Sequence, residues 1–259
     1  VLFAHAVAAA VAPLLVSRWG RRAFYPLALV PLISLVWVAT HWPTATRTET
    51  VHLSWVPELS MNLDLRFDSL SAVLAVLVLA IGALVLFYCA AYFEHHDGST
   101  EKRLPSFAAE LVAFAGTMFG LVTADNTLLL YVFWELTSVL SFLLVGHYAE
   151  RAASRRAATQ ALLVTTFGGL AMLVGIIILG HDGSYLLSEL LAHPPQGTAV
   201  DIALTLVLVG ALSKSAIVPL HFWLPGAMAA PTPVSAYLHA AAMVKAGVYL
   251  IARLAPGFA

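Results

Sequence analysis

The chain has 259 residues, of which 61% are hydrophobic and 10% charged, whereas an ordinary soluble domain carries about a quarter charged residues; a soluble globule is excluded. Its 13 basic and 14 acidic residues leave a net charge of −1, and with no basic patch or arm nothing marks it for nucleic acid. The apolar residues fall instead into nearly uncharged runs of roughly 17–25, the length at which a helix rising 1.5 Å per residue crosses a hydrocarbon core of about 30 Å.

In chain order these runs predict an all-α polytopic membrane protein with eight spans, at 1–17, 23–41, 69–93, 106–124, 126–148, 157–180, 202–224 and 231–253. The first is followed, not preceded, by the basic cluster Arg18, Arg21 and Arg22, the reverse of a signal peptide. There is no initiator Met and the chain stops just after an apolar run, so the sequence reads as a segment of something longer. Between the second and third spans, Leu59, Met61, Leu63, Leu65 and Phe67 alternate with a period of two after Val51, Leu53, Trp55 and a turn at Pro57, which predicts a β-hairpin over 49–67 on the outer surface. The single cysteine, Cys89, lies inside the third run, leaving no disulfide framework and no thiolate set for zinc or iron–sulfur. The loop 181–201 has no Lys or Arg and holds Pro194 and Pro195; it reads as a plain connector.

Assigning alternate loops to the two sides puts Arg18, Arg21, Arg22, Lys102, Arg103, Arg151, Arg155 and Arg156 on one face and only Arg47 and Arg66 on the other. The positive-inside rule then places the N terminus outside a multi-pass cell-membrane protein.

Nearly all ionisable residues sit at span ends, with three clear exceptions: Glu135 in the fifth span, Lys214 in the seventh and Lys245 in the eighth. A lysine ten residues from a helix end lies about 15 Å from the interface, beyond the reach of its side chain, and each such charge costs roughly 2.5–3.5 kcal/mol on insertion scales. A buried Glu–Lys pair that only fixes packing stabilises little compared with apolar residues, and it leaves the second lysine unbalanced. The pattern therefore points to a proton or ion path, in which a buried lysine gains or loses its proton as a carboxylate approaches or withdraws. His221 lies seven residues after Lys214 and His239 six before Lys245, within relay distance along each helix. His5 and His147 lie near span ends and read as packing residues.

Pro219, five residues after Lys214 and inside the apolar run, is expected to displace the carbonyl of Ser215 and break the seventh helix. Broken helices at membrane depth line cavities and mark transporter sites. No glycine-rich phosphate loop follows a strand, and no two histidines stand 13 or 14 apart in a span as bis-histidine haem ligation favours. No cofactor or metal is indicated.

The runs VFWELTSVLSFLLVGHY (132–148) and LSKSAIVPLHFWLPGAMAAPTPVSAYLHAAAMVKAGVYLIARL (212–254) closely resemble the antiporter-like subunits shared by Mrp-type cation/proton antiporters and respiratory complex I. FDSLSAVL (67–74) is similar to the start of that family's third span. The resemblance implies an N-terminal three-helix region over 1–105 and, over 106–259, the first of two inverted five-helix repeats, the second being absent from this segment. It implies that Glu135 and Lys214 form the pair driving a half-channel, that Lys245 links onward, and that His221 and His239 are relay positions. Within the family, PGAMAAPTPVSAYLHA followed by MVKAGVYL is most similar to the large, A-type subunit of the Mrp antiporter. The expected function is proton translocation in a multisubunit Na+/H+ antiporter, a secondary transporter and not an enzyme, acting with other membrane subunits on a monovalent cation and protons in the lipid bilayer. The redox-driven, proton-pumping distal subunit of complex I is the alternative. A scaffold that keeps the fold without transport gains nothing from the insertion cost of Glu135, Lys214 and Lys245.

Overall fold

The computed structural model describes residues 1–44, 48–95 and 103–258. Arg47 and Lys102, two of the basic residues in the charge bias, lie outside the described residues.

Helices dominate because the runs are apolar on every side, a pattern that suits a span and not a water-facing helix. The first, α1 (Leu2–Trp19), ends at Gly20, whose φ of 56° is tolerated by a residue without a Cβ. A 3-10 turn, Gly20–Ala23, reverses the chain into α2 (Phe24–Thr40). Both lie along α4 (Leu104–Thr123). His5 of α1 packs on Gly116, and Val16 lines one cavity with Leu104 at the other end; Phe24 of α2 meets Phe107 at 6.3 Å and Trp37 meets Phe119 at 6.4 Å. The two helices are thus antiparallel.

The hairpin expected over 49–67 is present. β1 (Glu49–Val56) pairs antiparallel with β2 (Met61–Phe67), with Val51 opposite Leu65 and Leu53 opposite Leu63. β1 is exposed along its length, while β2 tucks Asp64 and Phe67 inward. Asp68 then caps α3 (Ser69–Tyr92) by accepting from the Ser71 amide at 3.1 Å.

α4 is buried along almost its whole length, with α1, α3 and α5 (Thr127–Val145) packed around it. Large apolar side chains such as Phe3, Leu14, Ile33 and Phe167 point outward on the peripheral helices, α6 (Ala152–Asp182) among them. Asn126 caps α5, accepting from the amides of Leu128 at 3.0 Å and Leu129 at 3.2 Å. Its amide donates to the Ser60 carbonyl at 2.8 Å and to Asp64 at 3.3 Å, so the hairpin clamps the entry to α5.

α6 begins at Ala152, earlier than the predicted 157, because hydropathy stops at Arg155 and Arg156 while the helix does not. Arg155 donates back to the carbonyls of Ala149 at 2.6 Å and Glu150 at 3.1 Å. After a short helix, Leu187–Ala192, comes α7 (Thr198–Lys214), which ends ten residues short of the predicted 224. The chain is unwound from 215 to 222, turns through the short helices Trp223–Gly226 and Thr232–Ser235, makes a π-helical turn over Ala236–Ala241, and enters α8 (Met243–Phe258).

Among the described residues six helical segments are long and apolar enough to cross a membrane. The sequence predicts eight. The difference has two sources: Leu2–Thr40 is one continuous segment although α1 and α2 double back within it, and α7 stops at 17 residues.

Candidate functional site

The site is built where α5, α6 and α7 meet. α5 presents Trp134, Glu135 and Ser138 within little more than one turn, and α7 delivers Lys214 as its last helical residue. Lys214 is 0% exposed. Its Nζ donates to the Trp134 carbonyl at 2.7 Å and to the Ser138 hydroxyl at 2.7 Å, and lies 5.0 Å from the centroid of the Trp134 ring. A buried amine is thus satisfied by a carbonyl, a hydroxyl and an aromatic face, without a carboxylate. Glu135 is next along α5 from Trp134, yet it makes no ion pair with Lys214, and its Oε1 is buried with no hydrogen-bond partner.

Two adjacent glycines of α6 make the approach possible. A Cβ on Gly169 would collide with Glu135 Oε1, and one on Gly168 would collide with Ser213 of α7. Without side chains there, α5 and α7 come close to one turn of α6, as small residues allow between membrane helices. Ser213 Oγ donates to the Val164 carbonyl at 2.7 Å, fixing α7 on α6 beside the lysine.

The break after Lys214 is tied down on both sides. Trp223 Nε1 donates to the Ser213 carbonyl at 3.0 Å, and Ser215 Oγ donates to the Val244 carbonyl at 2.7 Å. The second bond sets the start of α8, and with it Lys245, beside the end of α7. Lys245 is half-buried and makes no side-chain hydrogen bond or ion pair among the described residues. His239 sits on the π-helical turn with both ring nitrogens buried and unpartnered, and the Ser235 hydroxyl one turn earlier is likewise unpartnered. π-helical turns of this kind concentrate at functional sites. Tyr237 anchors the turn by donating to the Val78 carbonyl at 3.0 Å, in a notch left by Gly82. The structure therefore gathers Glu135 and Lys214 closely and sets the helix of Lys245 alongside. His221 and Pro219 are exposed on the unwound stretch and touch none of the other site residues through a hydrogen bond.

Two further polar centres flank the bundle. Arg253 of α8 forms a two-pronged ion pair with Asp68, with Nη2 to Oδ1 at 3.0 Å, and Nη2 also donates to Ser71 Oγ at 2.8 Å. Burial alone would raise the Asp68 carboxyl, but the Arg253 guanidinium and the Ser71 hydrogen bonds outweigh it and hold the group below the usual carboxylate range. Beyond the end of α5, His147 is buried among Phe93, Phe107 and Tyr148. Burial, helped by Arg103, pushes its imidazole down to about 4. Arg103 itself donates to the His147 carbonyl at 2.7 Å and to that of Gly146 at 3.4 Å, satisfying the C-terminal end of α5.

Residues 124–259, which hold the whole Glu135–Lys214–Lys245 arrangement, match the family model described as NADH:quinone oxidoreductase/Mrp antiporter, TM. The chain belongs to this family. Residues 53–102, covering most of the hairpin and α3, match a second model, the N-terminal region of chain 5 of NADH-ubiquinone oxidoreductase (complex I). Over 237 residues, 88% of its length, this family member is 47% identical to the A/B subunit of a probable K(+)/H(+) antiporter of Rhizobium meliloti (strain 1021), of which it covers 23%. Over 236 residues, 89% of its length, it is 42% identical to the A1 subunit of a Na(+)/H(+) antiporter of Staphylococcus aureus (strain Newman), of which it covers 29%. The chain thus spans about a quarter of the length of these relatives. Its fold superposes on a chain of the Mrp complex from Dietzia sp. DQ12-45-1b with a TM-score of 0.90 and 35% identity, covering 99% of this chain and 28% of that one. It superposes on a chain of respiratory complex I from Thermus thermophilus with a TM-score of 0.78 and 23% identity, covering 99% of this chain and 52% of that one, a likeness of fold.

Sequence reasoning singled out the charges gathered here but missed their setting: Trp134, Ser138, Gly168, Gly169 and the hydroxyl of Ser215. Ser138 alone carried a readable signal, since it follows Trp134 by four residues and so shares its face of the helix.

Proposed function

We propose that this chain is the proton-handling portion of the large, A-type subunit of a multisubunit monovalent cation/proton antiporter. The observation that carries the reading is Lys214, wholly buried on the carbonyl of Trp134 and the hydroxyl of Ser138 with a Glu135 carboxylate beside it but not in contact. A permanent ion pair would have its partners in contact. A lysine parked one residue from its carboxylate instead suits alternation: paired with Glu135 it holds its proton, and docked on Trp134 and Ser138 it is free to release it. Motion of a few ångströms between the two positions would couple helix position to proton release. The released proton moves toward Lys245, whose helix is joined to the break by the Ser215–Val244 bond, with His239 and His221 as relay groups and the helix break near Pro219 providing wetted backbone.

In this reading the chain crosses the membrane eight times, α1 and α2 separately and α7 with its unwound extension included. The N terminus and the hairpin lie outside. Residues 1–105 form an N-terminal three-helix region and 106–259 a first five-helix repeat, completed by a second repeat elsewhere in the protein. Other membrane subunits share the work, as the multisubunit relatives suggest. A redox-driven proton pump is the second reading, favoured by the complex I descriptions of the matching family models.

The test uses everted vesicles from cells carrying the full assembly, with a dye reporting internal pH. Adding a sodium or potassium salt to acidified vesicles is expected to discharge the gradient. Glu135→Gln and Lys214→Ala should each slow this by about a hundredfold or more, the scale of a lost proton-transfer group, with the assembly present at normal amounts. Exchange at the unmodified rate in either variant overturns the proposal; proton movement that follows quinone reduction and ignores the cation favours the second reading.

A further inference from the structure

At the turn between α1 and α2, on the face opposite the hairpin, the structure opens a cavity of about 850 Å³ whose wall includes Arg18, Trp19, Arg21 and Arg22. Arg21 is committed to Glu94 at 2.6 Å, whereas Arg18 and Arg22 have no acidic partner among the described residues. Trp19 is exposed beside them, as aromatic residues are at the headgroup level of a membrane. One helical turn further along α2, a second cavity of about 510 Å³ runs over the outer surface between α2 and α3. Its walls are almost wholly apolar: Tyr25 and Phe87, with ring centroids 5.1 Å apart, and Leu29, Leu32 and Leu84. The stretch from Tyr25 to Leu32 extends it about 10 Å along the helix axis, away from the basic cavity.

A basic pocket at the end of α1 and α2 with an apolar groove one turn further along α2 has the polarity profile of a phospholipid with a net negative headgroup. We propose that these two cavities form a single binding site for an anionic phospholipid, its phosphate held by Arg18 and Arg22 and one acyl chain lying in the α2–α3 groove. A solvated basic loop would account for the arginines alone. It gives no reason for an apolar channel to begin one turn below them. A free phosphate would use the first cavity and leave the groove idle, and a protein helix docked on the groove would have no use for two guanidinium groups without an acidic partner among the described residues.

The experiment takes the full assembly purified in detergent, strips it of lipid, and follows rebinding of dioleoyl phosphatidylglycerol, dioleoyl phosphatidylcholine and glycerol phosphate by native mass spectrometry. Phosphatidylglycerol is expected to rebind in preference to phosphatidylcholine. The double variant Arg18→Gln, Arg22→Gln should lose that preference by about tenfold or more, given roughly equal contributions from each basic residue near anionic lipid. Leu29→Trp, which fills the groove and leaves the arginines in place, should weaken phosphatidylglycerol without adding any affinity for glycerol phosphate. Equal binding of the two lipids, an undiminished preference in the double variant, glycerol phosphate competing as well as phosphatidylglycerol, or a neighbouring protein chain cross-linking to position 29 in place of lipid would each overturn the proposal.

Discussion

Glu135 and Lys214 could be found in the sequence because a charge inside an apolar run is costly and therefore conspicuous. What holds the lysine could not. One of its two acceptors is the carbonyl of Trp134, and every residue in the chain has a carbonyl; only the packing of α7 against α5 selects this one. The notch for the Glu135 carboxylate is equally silent in the sequence, since Gly168 and Gly169 look like any glycines in a membrane helix until the helices close around them. Ser138 is where this setting can be probed. It supplies one of the two hydrogen bonds to Lys214 in the unpaired position, so Ser138→Ala should bias the lysine toward Glu135 and slow exchange by about tenfold, the worth of one hydrogen bond to a charged group. Ser138→Thr keeps the hydroxyl and should restore the rate. Equal rates for wild type and Ser138→Ala in proton-efflux assays would show that docking on the hydroxyl is incidental.

Among the elements, hydropathy placed α1, α2, α3 and α4 to within two residues of their ends and blurred the later ones for identifiable reasons. A helix may carry basic residues past the membrane edge, as α6 does, and an apolar run need not be helical, as the unwound stretch after Lys214 demonstrates. Pro219 flagged the break, yet the helix ends five residues before it, at Lys214, and the π-helical turn at Ala236–Ala241 carried no flag at all. The junction after α5 gives a test that does not depend on transport. The end of a helix favours a cation by about 0.3–1 kcal/mol, which would keep His147 charged; burial wins and takes it down to about 4. The unfolded chain, with its histidine near the ordinary 6.5, then binds the proton more readily than the folded one. This contribution to stability is complete above about pH 6.5 and is lost as pH falls toward 4. Thermal unfolding of the detergent-solubilised assembly should therefore decline across that window less steeply in His147→Gln than in the unmodified protein. Identical slopes would mean that His147 titrates normally.

The whole molecule was legible mainly through two long motifs, at 132–148 and 212–254, which carried the family; the distribution of basic residues motivates the proposed orientation. Arg151, Arg155 and Arg156 cluster at the junction of α5 and α6, on the face opposite the hairpin. A cysteine placed at position 155 should accordingly react with a membrane-impermeant maleimide only after the cells are opened, and one at position 53, on β1, in intact cells; labelling of position 155 from outside would invert the topology and with it the direction of proton movement. The proposed mechanism turns on whether Lys214 gives up its proton or only supplies charge. Lys214→Arg separates the two, because guanidinium keeps its proton at any attainable pH while preserving the positive charge and hydrogen-bond donors. In cation-driven proton efflux from vesicles bearing the full assembly, this variant should be as inactive as Lys214→Ala; efflux at the wild-type rate would contradict lysine deprotonation.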